Sequence, residues 1–369
     1  MKRNKKIIIS GGGTGGHIFP ALSIANALKR LEPDIEILFV GAEGRMEMEK
    51  VPMAGYKIVG LPVSGFNRKN LLKNIKTFFN LRKSLKMAKN IIKDFQPDVV
   101  VGVGGYASGP VLKKAEQMGI PTLIQEQNSY AGVTNKLLAA NASKICVAYD
   151  GMGKFFPADK IVKLGNPVRQ NFDSLDNLKD EALKFFGLND KEPIVLVIGG
   201  SLGAGTINDS LKNGIDKMVA SGCQWLWQTG KYYFDDVMKV VNDKNSDKLS
   251  VHAFINRMDL AFAAADVIVS RAGAGTISEL CLVGKPVILV PSPNVAEDHQ
   301  TKNAMALVEK DAAIMIPDKD AVEQLVDKAI ELIKDNNRKE ILSKNIKQLE
   351  ERDADLKIAK EVLKLVVEK

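Results

Sequence analysis

The sequence is poor in the residues that build disulfide frameworks and metal centres. Its 369 residues include only 3 cysteines and 3 histidines, and it contains no Cys-x-x-Cys motif. Scattered cysteines of this kind exclude a disulfide framework and are typical of a reducing cytosol. They also leave too few close-spaced ligands for a zinc site, so we expect no protein-bound metal.

Long apolar runs are also missing. No run approaches the roughly 18 residues that a membrane-spanning helix needs. The basic N-terminus is followed by only three isoleucines, at 7–9, before glycines begin, which is too short for an export signal. We therefore expect a protein that stays in the cytoplasm and contacts a membrane only through its surface.

Length and pattern predict two domains of the α/β class. A chain of 369 residues exceeds what one hydrophobic core usually organises. Short β-branched runs alternate with amphipathic stretches, which predicts parallel sheets covered by helices on both faces. The predicted strands lie at 7–9, 35–40, 99–103, 121–124, 194–198, 225–228, 267–270 and 286–290.

The two halves begin alike, each with a strand that runs into a glycine loop. The first loop spans 11–16 and the second spans 199–205. We infer two Rossmann-like domains in tandem, with a hinge at 165–169 and one more helix at the C-terminus. Because ligands of open α/β sheets bind beyond the carboxyl ends of strands, we expect the loops to meet at a cleft between the domains.

Glycine loops between a strand and a helix let backbone N–H groups approach a phosphate or a sugar. On this basis Thr14, Gly15 and Gly16 are candidate ligand contacts, and the alternative is a plain tight turn. The loop formally matches the dinucleotide fingerprint, but the nearest acid after the second strand, Glu43, comes several residues late. An NAD(P)-dependent oxidoreductase therefore stays a minor alternative.

Six motifs, in order along the chain, together resemble the MurG family of bacterial UDP-N-acetylglucosamine (UDP-GlcNAc) transferases. They are Gly-Gly-Gly-Thr-Gly-Gly-His-Ile-Phe-Pro-Ala at 11–21, Val-Gly-Gly-Tyr-Ala-Ser-Gly-Pro at 103–110, Gln-Glu-Gln-Asn at 125–128, Gly-Asn-Pro-Val-Arg at 165–169, Gly-Gly-Ser-Leu-Gly-Ala at 199–204 and Arg-Ala-Gly-Ala-Gly-Thr-Ile-Ser-Glu-Leu at 271–280. The resemblance implies the GT-B glycosyltransferase fold, with two Rossmann-like domains facing across a cleft. It assigns 1–165 to an acceptor-binding domain, 166–349 to a donor-binding domain, and 350–369 to a helix that returns to the first domain.

The same resemblance implies an inverting transfer of GlcNAc from UDP-GlcNAc. The acceptor would be the C4 hydroxyl of N-acetylmuramic acid (MurNAc) in an undecaprenyl-diphosphate-linked muropeptide, an intermediate of peptidoglycan synthesis. The alternatives are a transferase acting on another lipid, such as diacylglycerol, and a non-catalytic membrane-surface scaffold. No cofactor is implied, although a divalent cation on the acceptor's own diphosphate stays open.

The family pattern also suggests donor contacts. A glutamate at position 279 would bind the ribose hydroxyls, the alternative being the second half of a capping box with Thr276. Arg169 would contact the donor or pair with a structural carboxylate. Gln300 and Asn303 would hold the GlcNAc ring or simply begin a helix. The remaining donor contacts would be Ile255 beside the uracil, and Ser201, Ala274, Gly275 and Thr276 around the diphosphate.

The inverting reaction needs a base beside the attacking hydroxyl. His17, in the first turn of a helix, would be that base or a residue that binds the acceptor. Glu126 is the competing base, and Gln125 stands before it where the family commonly has histidine. We expect Asn128 and Tyr106 to orient the sugars.

Two charge patterns complete the sequence-based expectations. The acidic pairs at 318–320 and 353–355 imitate the Asp-x-Asp motif of metal-dependent transferases, and we interpret both as solvated charge. The segment 66–93 carries nine Lys or Arg and no acid from 68 onward, interleaved with Leu, Ile and Phe. It predicts contact with an anionic membrane surface, at the cytoplasmic face of the plasma membrane, and the alternative is the core face of a Rossmann helix. No motif indicates a nucleic acid partner.

Overall fold

The computed structural model describes residues 3–63, 65, 74–168, 172, 175–200, 202–244 and 246–366, without the side chains of 74–76 and 296. The chain divides into two compact units. Unit 1 comprises Met1–Val168 together with Glu351–Lys369, and unit 2 comprises Arg169–Glu350.

Unit 1 is a parallel sheet of seven strands in the order β3-β2-β1-β4-β5-β6-β7. Its inner strand β1 carries Ile7, Ile8 and Ile9, which are fully buried because helices cover both faces of the sheet. The strands are β1 (Lys6–Ser10), β2 (Glu36–Ala42), β3 (Lys57–Leu61), β4 (Val99–Gly102), β5 (Thr122–Glu126), β6 (Lys144–Val147) and β7 (Ile161–Lys163). The helices are α1 (Gly15–Leu31), α2 (Glu47–Met53), α3 (Asn74–Phe95), α4 (Ser108–Gln117) and α5 (Val133–Leu138).

Unit 2 repeats the plan with six parallel strands in the order β10-β9-β8-β11-β12-β13. Its core includes Trp225 and Trp227 of one central strand. The strands are β8 (Ile194–Ile198), β9 (Gln224–Gln228), β10 (Leu249–His252), β11 (Val267–Ser270), β12 (Val287–Leu289) and β13 (Ile314–Met315). The helices are α6 (Lys179–Phe186), α7 (Gly205–Asn213), α8 (Ile215–Ala220), α9 (Phe234–Asn242), α10 (Met258–Ala264), α11 (Ala274–Val283), α12 (His299–Val308), α13 (Asp318–Lys334) and α14 (Asn336–Lys347).

The C-terminal helix, α15 (Ala354–Lys364), belongs to unit 1. Its Ile358 and Val362 are buried in the core of that unit beside Leu28 of α1, and its Asp355 pairs with Arg30. The predicted fold, two parallel α/β sheets with a helical C-terminus, is confirmed. The interpretation of 353–355 as solvated charge is wrong for Asp355, which is buried in this ion pair.

None of the helices in the described part of the chain is both long and apolar enough to cross a membrane.

Candidate active site

Two loops of unit 1 pack against each other where β1 and β4 end. The first glycine loop, residues 11–16, follows β1, and the β4 loop, residues 103–107, follows β4. Ser108 holds the two together because its Oγ donates to Ser10 O at 2.8 Å and to Gly104 O at 2.9 Å. A Cβ atom on Gly105 would lie 2.3 Å from Gly12 O, so only glycine permits this approach.

His17 lies in the first turn of α1, half-buried against the β4 loop. Its Nδ1 is 3.0 Å from Gly12 O. Because a carbonyl oxygen only accepts hydrogen bonds, Nδ1 carries the proton and Nε2 of the neutral ring keeps a lone pair. The ring edge with Cδ2 and Nε2 faces Gly104, where a Cβ would lie 2.9 Å from both atoms. The geometry therefore prepares Nε2 to accept a proton.

The other candidates of the first glycine loop sit at the start of α1. Thr14 is the N-cap residue, and its carbonyl accepts from the backbone N–H groups of His17 and Ile18 at 3.1 and 3.2 Å. The N–H groups of Gly15 and Gly16 precede these bonds and lie at the positive end of the helix. They are suited to an anion or a sugar hydroxyl.

Glu47, at the start of α2, was missed by the sequence analysis. Its carboxylate is buried and accepts from Gly13 N and Ala42 N, each at 2.9 Å. A dinucleotide phosphate bound at this loop would have to displace that carboxylate from Gly13, and the two negative charges repel. This arrangement argues against the oxidoreductase alternative. Glu43, considered as the ribose-binding acid of a dinucleotide fingerprint, lies four residues before this loop anchor.

Glu126 ends β5 and is almost fully buried. Its Oε1 accepts from Asn128 N at 3.1 Å and Asn128 Nδ2 at 3.3 Å. Its Oε2 accepts from Gly132 N at 2.9 Å and from Asn135 Nδ2 at 2.8 Å. Four donors occupy the carboxylate, so the geometry favours His17 over Glu126 as base and makes Glu126 the anchor of the loop that carries Asn128. Asn135, its partner on α5, was not found from the sequence.

The position before Glu126 is part of a buried amide network. Gln125 donates through Nε2 to Asn166 Oδ1 at 3.1 Å, and Gln127 donates to Gln125 Oε1. Tyr106, in the β4 loop, is exposed over 56% of its surface. Its hydroxyl lies against Gly65, where a Cβ would come within 2.4 Å of it.

The start of α11 carries several of the residues that the sequence analysis assigned to the donor. Gly273 is the N-cap, and the first intrahelical bond runs from Ile277 N to Gly273 O at 2.9 Å. The N–H groups of Gly275 and Thr276 therefore lie at the positive end of the helix, next to Ala274. Thr276 is inside the helix and Glu279, half-buried, follows one turn later. The capping-box alternative for this pair is wrong.

Amide side chains join the loops on the donor side. Gln300 Oε1 accepts from Ala272 N at 3.2 Å and from Ser292 N at 2.9 Å, which connects the loops after β11 and β12. Asn303, one turn later in α12, is fully buried with Nδ2 3.5 Å from Ala272 O. Neither residue is a plain polar helix start.

Gln228, which ends β9, is a second connection that the sequence analysis missed. Its Nε2 donates to Gly200 O and its Oε1 accepts from Ile255 N, each at 3.0 Å. Ile255 is buried, and its N–H is occupied by this bond. A contact from this backbone to the edge of a base would use the carbonyl oxygen. Arg169 and Ser201 lie outside the described residues.

Asp318 is a second correction to the interpretation of the acidic pairs. It begins α13, pairs with Arg271 and accepts from Thr206 Oγ1 at 2.9 Å. Its side chain is 18% exposed, so it is an anchor for the β11 loop rather than solvated charge. Within the described ranges, no group of three or more His, Cys, Asp or Glu side chains could hold a metal ion.

The helix of the basic segment, α3, has two different faces. Ala88 and Ile92 are buried in the core of unit 1, as the core-face alternative proposed. Phe78 and Phe79 are 50% and 64% exposed, and the guanidinium of Arg82 lies 5.0 Å from the Phe78 ring centre. Residues 66–73 of the basic segment lie outside the described residues.

Family models of glycosyltransferase family 28 match both units. The model of its N-terminal domain matches residues 7–147, and that of its C-terminal domain matches residues 194–359.

Curated relatives match over the full length of the chain. A protein of Parabacteroides distasonis is 60% identical over 367 residues, covering 100% of both chains. One of Bacteroides fragilis is 58% identical over 362 residues, covering 98% of this chain and 95% of the relative. Both are named UDP-N-acetylglucosamine–N-acetylmuramyl-(pentapeptide) pyrophosphoryl-undecaprenol N-acetylglucosamine transferase.

Solved structures agree with this family. MurG of Acinetobacter baumannii superposes with a TM-score of 0.82 at 26% identity, covering 98% of this chain and 99% of that one. The UDP-GlcNAc 2-epimerase of Neisseria meningitidis, bound to UDP-GlcNAc, reaches a TM-score of 0.66 at 14% identity, covering 98% and 100%. The second likeness shows the fold alone.

Proposed function

The chain belongs to the MurG family of N-acetylglucosamine transferases, within glycosyltransferase family 28, and we propose that it transfers GlcNAc by an inverting single displacement. The donor is UDP-GlcNAc and the acceptor is the lipid-linked MurNAc-peptide. The observation that carries this assignment is the 60% identity to a curated transferase over the full length of both chains. The attacking group in the proposal is the C4 hydroxyl of MurNAc, and the product is a β-1,4 link.

His17 serves as the base in this proposal. The acceptor oxygen forms a bond to C1 of GlcNAc while the bond from C1 to the UDP oxygen breaks. The proton of the attacking hydroxyl moves to Nε2 of His17, which is the nitrogen left without a proton when Nδ1 donates to Gly12 O. General bases of this kind contribute ~10²- to 10⁴-fold to the rate. Tyr106 and Asn128 lie on the same edge of unit 1 and are proposed to orient the acceptor.

Unit 2 stabilises the departing UDP in the proposal. The diphosphate gains negative charge as the bond to C1 breaks, and the first turn of α11 offers the N–H groups of Gly275 and Thr276 to it. Glu279, one turn later, is placed to accept from the ribose hydroxyls. Gln300 is proposed to reach the GlcNAc ring, whereas Asn303 supports the loop from inside the unit. Arg169, Ser201 and Ile255 stay proposed donor contacts.

Two substitutions test the assignment of roles. His17→Ala should lower kcat ~10²-fold or more with an unchanged KM for UDP-GlcNAc, because it removes the base and leaves the donor side intact. Glu279→Ala should raise the KM for UDP-GlcNAc ~10-fold through lost hydroxyl contacts. Steady-state kinetics with a soluble analogue of the lipid acceptor separate the two effects. Near-normal turnover of His17→Ala would remove it as base.

Contact with the cytoplasmic face of the plasma membrane is a further part of the proposal. Exposed Phe78 and Phe79 lie on a helix that also carries Arg82, Lys83 and Lys86. Basic and apolar side chains together favour an anionic lipid surface, where the undecaprenyl acceptor resides.

Vesicle sedimentation tests the membrane contact. The double variant Phe78→Ser, Phe79→Ser should bind anionic vesicles at least ~10²-fold more weakly, since each buried aromatic side chain contributes ~1.5–3 kcal/mol. The matched control is Phe185→Ser, which changes an equally exposed phenylalanine of unit 2 (57%). Equal vesicle binding by all three proteins would refute the contact.

A further inference from the structure

Glu47 has no part in the transfer steps above, yet its buried carboxylate accepts a hydrogen bond from the backbone beside His17. It connects the end of β2 to the first glycine loop through Ala42 N and Gly13 N. A buried carboxylate is costly unless backbone donors or cations satisfy it. The N–H groups of Ala42 and Gly13 hydrogen-bond to the carboxylate, and these bonds fix the loop to the end of β2.

The anchored peptide is the one that contacts the imidazole. The N–H of Gly13 and the C=O of Gly12 belong to the same peptide unit, and among the described residues no peptide bond is cis. In a trans peptide these two groups point in opposite directions. When Glu47 accepts the N–H on one side, the carbonyl must face the other side, where it meets His17 Nδ1 at 3.0 Å.

The peptide is also confined from both sides. A Cβ on Gly12 would lie 2.1 Å from Glu47 Oε1, and a Cβ on Gly105 would lie 2.3 Å from Gly12 O. Gly12 has φ +147, in the region that glycine reaches most easily. Without the carboxylate, the peptide can rotate and offer its N–H to the ring instead of its carbonyl.

We propose that Glu47 is a positioning residue for His17. Its carboxylate orients the Gly12–Gly13 peptide so that Gly12 O holds the proton on Nδ1 and Nε2 stays available for the proton of the acceptor hydroxyl. The negative charge also favours, through the polarised peptide, the imidazolium that forms when Nε2 takes that proton. The inference rests on His17 being the base proposed above.

Glu47→Gln is the test variant because glutamine has the same shape but only one acceptor oxygen. Its NH₂ group cannot accept from the second N–H, so one of the two anchors is lost. The matched control is Asp98→Asn. Asp98 is a carboxylate at the opposite end of β1 that accepts from Lys6 N at 2.8 Å and from the Arg3 guanidinium at 3.0 Å. Should Glu47→Gln not fold, Glu47→Asp, which is too short to reach both N–H groups, replaces it.

The direct measurement is the tautomer of His17. The chain has only 3 histidines, so ¹⁵N-labelled histidine gives three ring spin systems, and His17→Ala assigns the relevant one. At alkaline pH, where imidazole is neutral, wild type and Asp98→Asn should show the proton on Nδ1. Glu47→Gln should show a mixture of the two tautomers. It should also lower kcat at least ~10-fold with the KM for UDP-GlcNAc unchanged, because part of the base contribution is lost.

The outcomes distinguish a failure of the positioning role of Glu47 from a failure of His17 as the proposed base. If His17→Ala turns over at a near-normal rate, the proposed base is wrong, whatever Glu47 does. If His17→Ala is impaired but Glu47→Gln keeps the Nδ1 tautomer or its full kcat, the positioning role is overturned. It is also overturned if Asp98→Asn loses kcat and changes the His17 signals to the same extent, since that would be general loosening of unit 1.

Discussion

The two units secure the loops at the carboxyl edge of their sheets with side chains of different charge. In unit 1 the anchors are the carboxylates of Glu47 and Glu126, which accept from backbone N–H groups. In unit 2 the backbone N–H groups are accepted by the amides of Gln228 and Gln300. The carboxylate anchor of that unit, Asp318, is paired with Arg271, so its charge is compensated. A carboxylate accepts through two oxygens and an amide through only one, so the number of N–H donors in each loop already favours the anchor found there. The difference in charge has a further consequence.

That consequence concerns the proposed reaction. In the proposal, positive charge develops in unit 1 when His17 takes a proton, and negative charge develops in unit 2 when UDP departs. Fixed charges and dipoles stabilise a transition state when they oppose the charge that develops. In the proposal Glu47, which accepts from the N–H of the peptide that contacts His17, does so in unit 1. Gln300, which accepts from Ala272 N just before α11, adds no negative charge at the positive end of that helix. The comparison predicts that exchanging charge between the two kinds of anchor is harmful in each unit for a different reason.

The largest expected effect is on the stability of unit 1. Glu126→Gln places an NH₂ group against two of four donors and should lower the unfolding free energy of unit 1 by about 3 kcal/mol. Native-state hydrogen exchange measures this, with the amides of unit 2 as the internal reference. Per folded molecule, kcat should fall far less than in His17→Ala, because only the loop that carries Asn128 is loosened. An unchanged stability with a collapse of kcat would instead make Glu126 the base and break the comparison.

The next effect is on donor binding in unit 2. Gln300 holds its two loops through Oε1, which glutamate also carries, so Gln300→Glu adds charge and little else. At ~8 Å and an effective dielectric constant of ~20, the repulsion is roughly 2 kcal/mol, or about 30-fold in the Kd of UDP. Calorimetry with UDP measures the change in Kd. Uridine is the reference ligand, because it lacks the phosphates and should bind equally to wild type and to Gln300→Glu.

The control for this substitution is Gln324→Glu, an exposed position on α13 of the same unit. It adds the same charge far from the loops, so the affinity for UDP should stay that of wild type. Equal affinity of Gln300→Glu and wild type for UDP would mean that the neutrality of the unit 2 anchors has no bearing on the donor.

Most core strands and the glycine loops could be predicted from sequence because their signals are local, although the short buried strand β6 was not predicted. Buried parallel strands read as continuous apolar runs, as in β1 and β8. Edge strands such as β10 and β13 were missed, since their residues are only half-buried and their composition does not separate them from loops.

The anchors could not be predicted because the sequence does not show which backbone N–H group, or which distant charge, a side chain will contact. Glu47 accepts a hydrogen bond from Gly13, which is 34 positions away, and Asp355 pairs with Arg30, which is 325 positions away. The sequence does not distinguish a carboxylate that stays solvated from one that forms an ion pair in the fold. The interpretation of the acidic pairs was therefore wrong for Asp318 and Asp355. The candidate ligand contacts could be predicted from the family motifs. The side chains that position them, such as Glu47 and Gln228, could be identified only from the structure.

The smallest effect concerns a half-buried lysine of unit 2, at the opposite edge of its sheet. Lys285, just before β12, donates to Ala263 O and Ala265 O, and burial lowers its pKa from 10.5 to about 8. Between these values the unfolded chain binds the proton and the folded chain does not, so unfolding free energy should rise with pH by up to about 1.4 kcal/mol per unit. Lys285→Met should lose that rise. Both tryptophans lie in β9, so tryptophan fluorescence during denaturation at pH 7.5 to 9.5 reports unit 2 alone, and equal slopes for the two proteins would contradict a buried titrating lysine.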